Sequence, residues 1–106
     1  MITTLTRIPV ANYSNLKARA GYSLKINQTE IALFKVTNGK VYALENHSPH
    51  PKGGVLSEGL VSGEYVYCPV YDWKISLVDG RVQGPDEGQV RTFKVEREED
   101  IVFIVL

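Results

Sequence analysis

The chain has 106 residues, with twelve basic and twelve acidic side chains that cancel to a formal net charge of zero, and a single cysteine, Cys68. That length supports one domain, residues 1–106, able to bury roughly 60–70% of its unfolded surface around one core without metal or disulfide. Balanced charge with no lysine or arginine cluster removes the electrostatic footprint of a nucleic-acid binder, and a lone cysteine forbids an intrachain disulfide.

Taken in order, the opening MITTLTRIPVANY lacks the apolar run of a signal peptide. No stretch approaches the ~20 apolar residues of a membrane span, so the expectation is a cytoplasmic chain with no membrane association. Ser14 to Gly21 fits one turn of helix, with Ser14 as cap and Gly21 as terminator. Tyr22, Leu24 and Ile26 then alternate with Ser23, Lys25 and Asn27, the period of a half-buried strand. Asn38-Gly39 separates IALFKVT from KVYALE, which predicts a hairpin closed by a type I′ turn. A long loop follows at 46–59 and a shorter one at 68–73. Trp73, Ile75 and Leu77 resume the alternation, and Asp79-Gly80 predicts a second I′ hairpin between KISLV and RVQ. QGPDEGQ forms a third loop, and REED turns the chain between RTFKVE and the apolar IVFIVL. The reading is an all-β domain of about eight to ten short strands with its chemistry on loops.

Two of those loops carry residues that iron favours. Ser48-x-His50 is followed seventeen residues later by Cys68-x-x-Tyr71. This spacing resembles the Rieske iron–sulfur signature, Cys-x-His then Cys-x-x-His, and VYALENHSPHPKGGVLSEGLV and YVYCPVYDWKISLVDGRV resemble its two ligand loops. GPDEGQVRTFKVE is similar to the proline-containing segment beside the cluster, and the likeness extends over roughly residues 5 to 106. It implies a Rieske-like fold of antiparallel sheets with two apical site loops. In such a centre two thiolates hold one iron and two imidazoles the other. One cysteine cannot supply two thiolates, a serine hydroxyl is a hard, protonated oxygen, and a tyrosine phenol with pKa near 10 is no imidazole. Ser48, His50, Cys68 and Tyr71 are therefore expected to be vestigial cluster positions, with no cofactor, metal or catalytic residue in this chain. Two other readings of the same residues remain open. One is a zinc ion held by His50, Cys68 and His47, three ligands where structural zinc takes four; the other is a Cys68–His50 nucleophile and base.

Within the fold, the same stretches resemble the small subunit of the NAD(P)H-dependent nitrite reductase. The resemblance implies a non-catalytic subunit of an oxidoreductase that reduces nitrite to ammonium in nitrate assimilation. Its partner would be a large subunit carrying sirohaem, a [4Fe–4S] cluster and FAD. A Rieske-type ferredoxin serving an oxygenase, and a cluster-free binding module of the same fold, are the alternatives. His47, Pro51, Lys52, Tyr71, Asp72 and Trp73 gather at the loop tips as candidates for partner contact. Trp73 also shares strand parity with Ile75 and Leu77, which favours a place in the core.

Overall fold

The computed structural model describes residues 6–50, 53–70, 72–84 and 86–106, and among them nine strands, all paired antiparallel. In chain order these are β1 (Arg7–Asn12), β2 (Ala20–Ile26), β3 (Thr29–Lys35), β4 (Val41–Glu45), β5 (Leu60–Ser62), β6 (Tyr65–Tyr67), β7 (Lys74–Ser76), β8 (Thr92–Glu98) and β9 (Ile101–Val105). Six form one sheet in the order β1-β9-β8-β4-β3-β2, and β5-β6-β7 form a second, smaller sheet. No helix among the described residues is long and apolar enough to cross a membrane.

The run IALF in β3 explains the layering. Ile31 and Leu33 face one way into a core with Ala43, Phe93, Val102 and Ile104, while Ala32 and Phe34 face the other way into a second core. A strand covered on both faces reads as a continuous apolar run rather than an alternating one. The second core lies against the small sheet, whose inner residues Val61, Val66 and Ile75 are fully buried. Cys68 belongs to this core.

Both dipeptide hairpins form, but neither closes through a type I′ turn. Only Gly39 has positive φ (+93°), Asn38 does not, and the Gly39 amide donates to Val36 O at 2.9 Å. That geometry is a three-residue loop ending in a glycine bulge. At the second site only Gly80 is left-handed (φ +76°), and its amide reaches back to Ser76 O at 2.8 Å, enclosing Leu77, Val78 and Asp79. The two-residue loop with both residues at positive φ lies elsewhere, at Asn27 (+48°) and Gln28 (+69°), between Ile26 and its partner Thr29. The REED segment turns at Glu99 and Asp100, between the paired residues Glu98 and Ile101.

The helical turn expected over Ser14–Gly21 is a correction. A single 3₁₀ turn covers Tyr13–Asn15, and Gly21 lies inside β2. Ser14 is diverted from capping because its amide and hydroxyl both donate to the Asp100 carboxylate, each at 2.8 Å. Gly21 serves a close approach instead of a helix end, since a Cβ there would stand 2.5 Å from Ser57 O.

Candidate functional site

The two site loops project from the β4 end and the β6–β7 end of the two cores. The first leaves β4 through Asn46, which is 4% exposed and anchored on every side. Its amide donates to Glu30 O, its Oδ1 accepts the Ser57 amide at 2.8 Å, and its Nδ2 donates to the hydroxyls of Ser57 (3.0 Å) and Ser23 (3.2 Å). Beyond it, Ser48 is buried. Its amide donates to Gly54 O at 2.9 Å, and its Oγ accepts the His50 amide at 3.2 Å. The Gly53 amide then donates to His50 O at 2.8 Å. These local bonds tie the described residues of the loop, 46–50 and 53–54, to one another and to β3.

The second loop repeats the device. The Cys68 amide donates to Trp73 O at 2.8 Å, and its sulfur accepts the Val70 amide at 3.4 Å. The loops meet at Gly54, whose φ of +132° belongs to glycine. A Cβ at that position would lie 3.0 Å from Cys68 Sγ, 3.3 Å from Val70 Cγ2 and 3.5 Å from Ser48 Cβ. The His50 and Trp73 rings make an edge-to-face contact, with centroids 4.6 Å apart and planes at 70°. From the third loop, Gly88 comes against Pro49, with a Cβ there 3.1 Å from Pro49 Cβ.

The structure thus brings Ser48 and Cys68 to one point and joins His50 to Trp73. Trp73 is half-buried and packs on the core together with Val70, so it belongs to the core edge as its parity suggested. His47 and Asp72 are exposed, and Asp72 is left-handed at φ +52°. Pro51, Lys52 and Tyr71 lie outside the described residues. Sequence reasoning passed over Asn46, Gly54 and Val70. The signal for Asn46 was a polar side chain closing the apolar run of β4, and for Gly54 a Gly-Gly pair within a loop.

The donor set does not fit a [2Fe–2S] centre. The chain has one cysteine, and the residue in the other thiolate position is a buried hydroxyl already bonded to a backbone amide. Among the described residues no group of three His, Cys, Asp or Glu side chains gathers to hold a metal ion, so the zinc arrangement of His50, Cys68 and His47 is not assembled. The titratable groups that do shift belong to the framework. Tyr42 on β4 donates its hydroxyl to Glu64 in the β5–β6 turn; burial, then the hydrogen bond to Glu64 and its negative charge, push the phenol up to about 12. Asp100 is held below the usual carboxylate range by the Ser14 hydroxyl and amide and by Asn12, with a smaller contribution from the charge of Arg97.

The sequence matches the family described as "Rieske-like [2Fe-2S] domain" over residues 7–105. It is 37% identical over 86 residues to a nitrite reductase [NAD(P)H] of Emericella nidulans, covering 74% of this chain and 8% of that protein. It is 33% identical over 99 residues to a nitrite reductase [NAD(P)H] large subunit of Klebsiella oxytoca, covering 90% of this chain and 10% of that protein. The chain therefore spans a tenth or less of the length of these relatives. Three solved structures share the architecture. A protein described as an NADH-dependent nitrite reductase small subunit from Mycobacterium tuberculosis superposes with a TM-score of 0.87 at 20% identity, covering 98% of this chain and 97% of that one. Another, described as the small subunit of an NADPH nitrite reductase, gives 0.81 at 27% identity, covering 93% and 97%. The ferredoxin of carbazole 1,9a-dioxygenase from Nocardioides aromaticivorans gives 0.84 at 20%, covering 93% and 96%.

Proposed function

The chain belongs to the Rieske-like [2Fe-2S] domain family, and we propose that within it the chain is a cluster-free, non-catalytic small subunit of a cytoplasmic NAD(P)H-dependent nitrite reductase. It binds and supports a large subunit that carries sirohaem, a [4Fe–4S] cluster and FAD and reduces nitrite to ammonium. The observation that carries the reading is the donor set: one cysteine in the chain, and a buried, hydrogen-bonded Ser48 where the second thiolate would stand. A chain without a redox centre has no electron to relay, which counts against a ferredoxin serving an oxygenase despite the shared fold. The nitrite reductase relatives add direction. In the Klebsiella protein, the stretch like this chain is part of a polypeptide named as the large subunit itself. Such a domain works beside the rest of that enzyme.

The contact is assigned to the loop tips, through His47, Pro51, Lys52, Tyr71, Asp72 and the exposed edge of Trp73. Aromatic and charged anchors dominate interface energetics, and a central anchor contributes roughly 1–3 kcal/mol. The test is a triple change, Lys52→Ala, Tyr71→Ala and Asp72→Ala, in a chain that melts like the wild type. The wild-type chain recovers a sirohaem-containing large subunit from nitrite-grown cells, and the variant binds it about tenfold or more weakly. Wild-type affinity in the variant removes the loop tips as the contact. Recovery of no sirohaem protein by the wild type leaves the free-standing binding module as the reading.

A further inference from the structure

The six-stranded sheet is nearly two sheets. β4 and β8 pair only through Ala43–Phe93 and Leu44–Thr92, although β3 stays paired to β4 as far as Val41 and β9 stays paired to β8 as far as Glu98. Past the two shared pairs the strands part, and the core between them ends in an open seam. The seam holds a cavity of about 230 Å³ whose walls include Val41, Val95 and Val102. Its lip carries Tyr13, Lys40 and Arg97.

The lip is cationic. The Tyr13 ring has the Arg97 guanidinium 3.5 Å from its centroid and the Lys35 ammonium 4.1 Å from it. All three side chains are pinned by backbone acceptors: the Tyr13 hydroxyl donates to Gly39 O (2.7 Å), Lys35 Nζ to Leu16 O (3.0 Å) and Arg97 Nε to Glu99 O (2.7 Å). Among the described residues the ion pairs are Arg7 with Glu96 and Glu98, and Lys94 with Glu96; none involves Lys35, Lys40 or Arg97. The nearby Asp100 carboxylate accepts its hydrogen bonds from Ser14 and Asn12, and the charge of Arg97 acts on it only as a smaller contribution. Two cations, Lys40 and Arg97, line an apolar slot in a chain of zero net charge, with Lys35 held on the Tyr13 ring beside it, and leave a place for one anion with an apolar body.

We propose that this seam binds a small carboxylic acid, its carboxylate between Arg97 and Lys40 and its short aliphatic or aromatic body against the half-buried Val41, Tyr42 and Val95. The volume is below the roughly 300–1,000 Å³ of pockets for drug-sized ligands, which excludes a nucleotide. The site lies on a different part of the fold from the loop apex and does not depend on the partner assigned there. The test is a titration of the full chain with sodium 3-methylbutanoate, followed by NMR of the amides and methyl groups. Shifts confined to Tyr13, Val41, Tyr42 and Val95, with a dissociation constant on the order of 1 mM, are expected. Separately, Arg97→Gln and Lys40→Gln should each weaken binding about threefold or more while melting like the wild type. The uncharged amide of the same acid should bind at least several-fold more weakly. Equal shifts with inorganic phosphate, equal binding of the amide, shifts scattered over the surface, or unaltered affinity in both variants would each overturn the assignment.

Discussion

Asn46 is the side chain on which the first site loop depends, and Asn46→Ala measures how much. The amide is 4% exposed and makes three side-chain bonds, accepting the Ser57 amide at 2.8 Å and donating to the Ser57 and Ser23 hydroxyls. Those hydroxyls can rotate to other partners, but the Ser57 N–H cannot move without the backbone. Orphaning it costs about 1–3 kcal/mol, and the void left by the amide adds roughly 1 kcal/mol. The expected destabilisation is about 2–4 kcal/mol, a fall in Tm of roughly 10–25 °C for a domain of this size. Ser57→Ala is the control, because it keeps the Ser57 N–H bond to Oδ1 and loses only a hydroxyl; its cost should be about 1 kcal/mol or less. Thermal and urea unfolding of both variants supply the comparison, and hydrogen exchange at Ser48 and Gly53 reports whether the loop loosens first. If Asn46→Ala melts within a few degrees of wild type, or if Ser57→Ala is equally damaging, the anchor has been misplaced.

Other consequences are checked more briefly. The Tyr42 phenol, pushed up to about 12 by burial and by Glu64, holds its proton more tightly folded than unfolded, so its contribution is complete below the ordinary value of 10 and is lost as pH rises from there towards 12. Tyr42→Phe should remove that alkaline fall, and a phenolate absorbance titration in which no tyrosine ionises late would contradict it. Asp100 has the opposite sign: its carboxyl is depressed by Ser14 and Asn12, so its contribution is present at neutral pH and is lost as pH falls below the ordinary carboxylate range. Asp100→Asn should flatten that part of the acid unfolding curve, and an unchanged curve refutes the role. A strong chelator should leave Tm unchanged; a drop of more than a few degrees would reinstate zinc at His50 and Cys68. Reconstitution with iron and sulfide should likewise yield no visible absorption, whereas stoichiometric iron with labile sulfide would sink the donor-set argument.

What the sequence shows and hides follows from which forces act locally. The strands were legible because each face of Tyr22–Ile26 or Trp73–Leu77 repeats with period two, and the loops because glycine and proline interrupt it. The turn chemistry was less so. Asn38-Gly39 and Asp79-Gly80 mark the correct hairpins, yet the loop length is set by strand register, and only the glycine of each pair adopts positive φ. Asn27-Gln28 carries no glycine, so the true two-residue turn is invisible until Ile26 pairs with Thr29 and forces both residues left-handed. Ser14 reads as a helix cap until Asp100, brought close by the β8–β9 hairpin, claims its amide and hydroxyl. The turns were decided by strand pairing, and the fate of Ser14 by a partner distant in sequence.

The site was legible as spacing but not as structure. Ser48 and Cys68 fall at equivalent places in the two loops, and each accepts the backbone amide two residues on: His50 N–H to Ser48 Oγ, Val70 N–H to Cys68 Sγ. An uncharged oxygen accepts an amide proton as readily as sulfur does, whereas the iron at that position of a Rieske centre is held by thiolates. The ligand positions therefore carry two separable duties, shaping the loop and holding the metal. Serine at position 48 keeps the first and gives up the second. The remaining restraints, the left-handed Gly54 against Cys68 and the edge contact of His50 with Trp73, do not require a charged cluster between the loops. Among the described residues the two loops are joined through protein contacts, which is what the proposed docking surface would need.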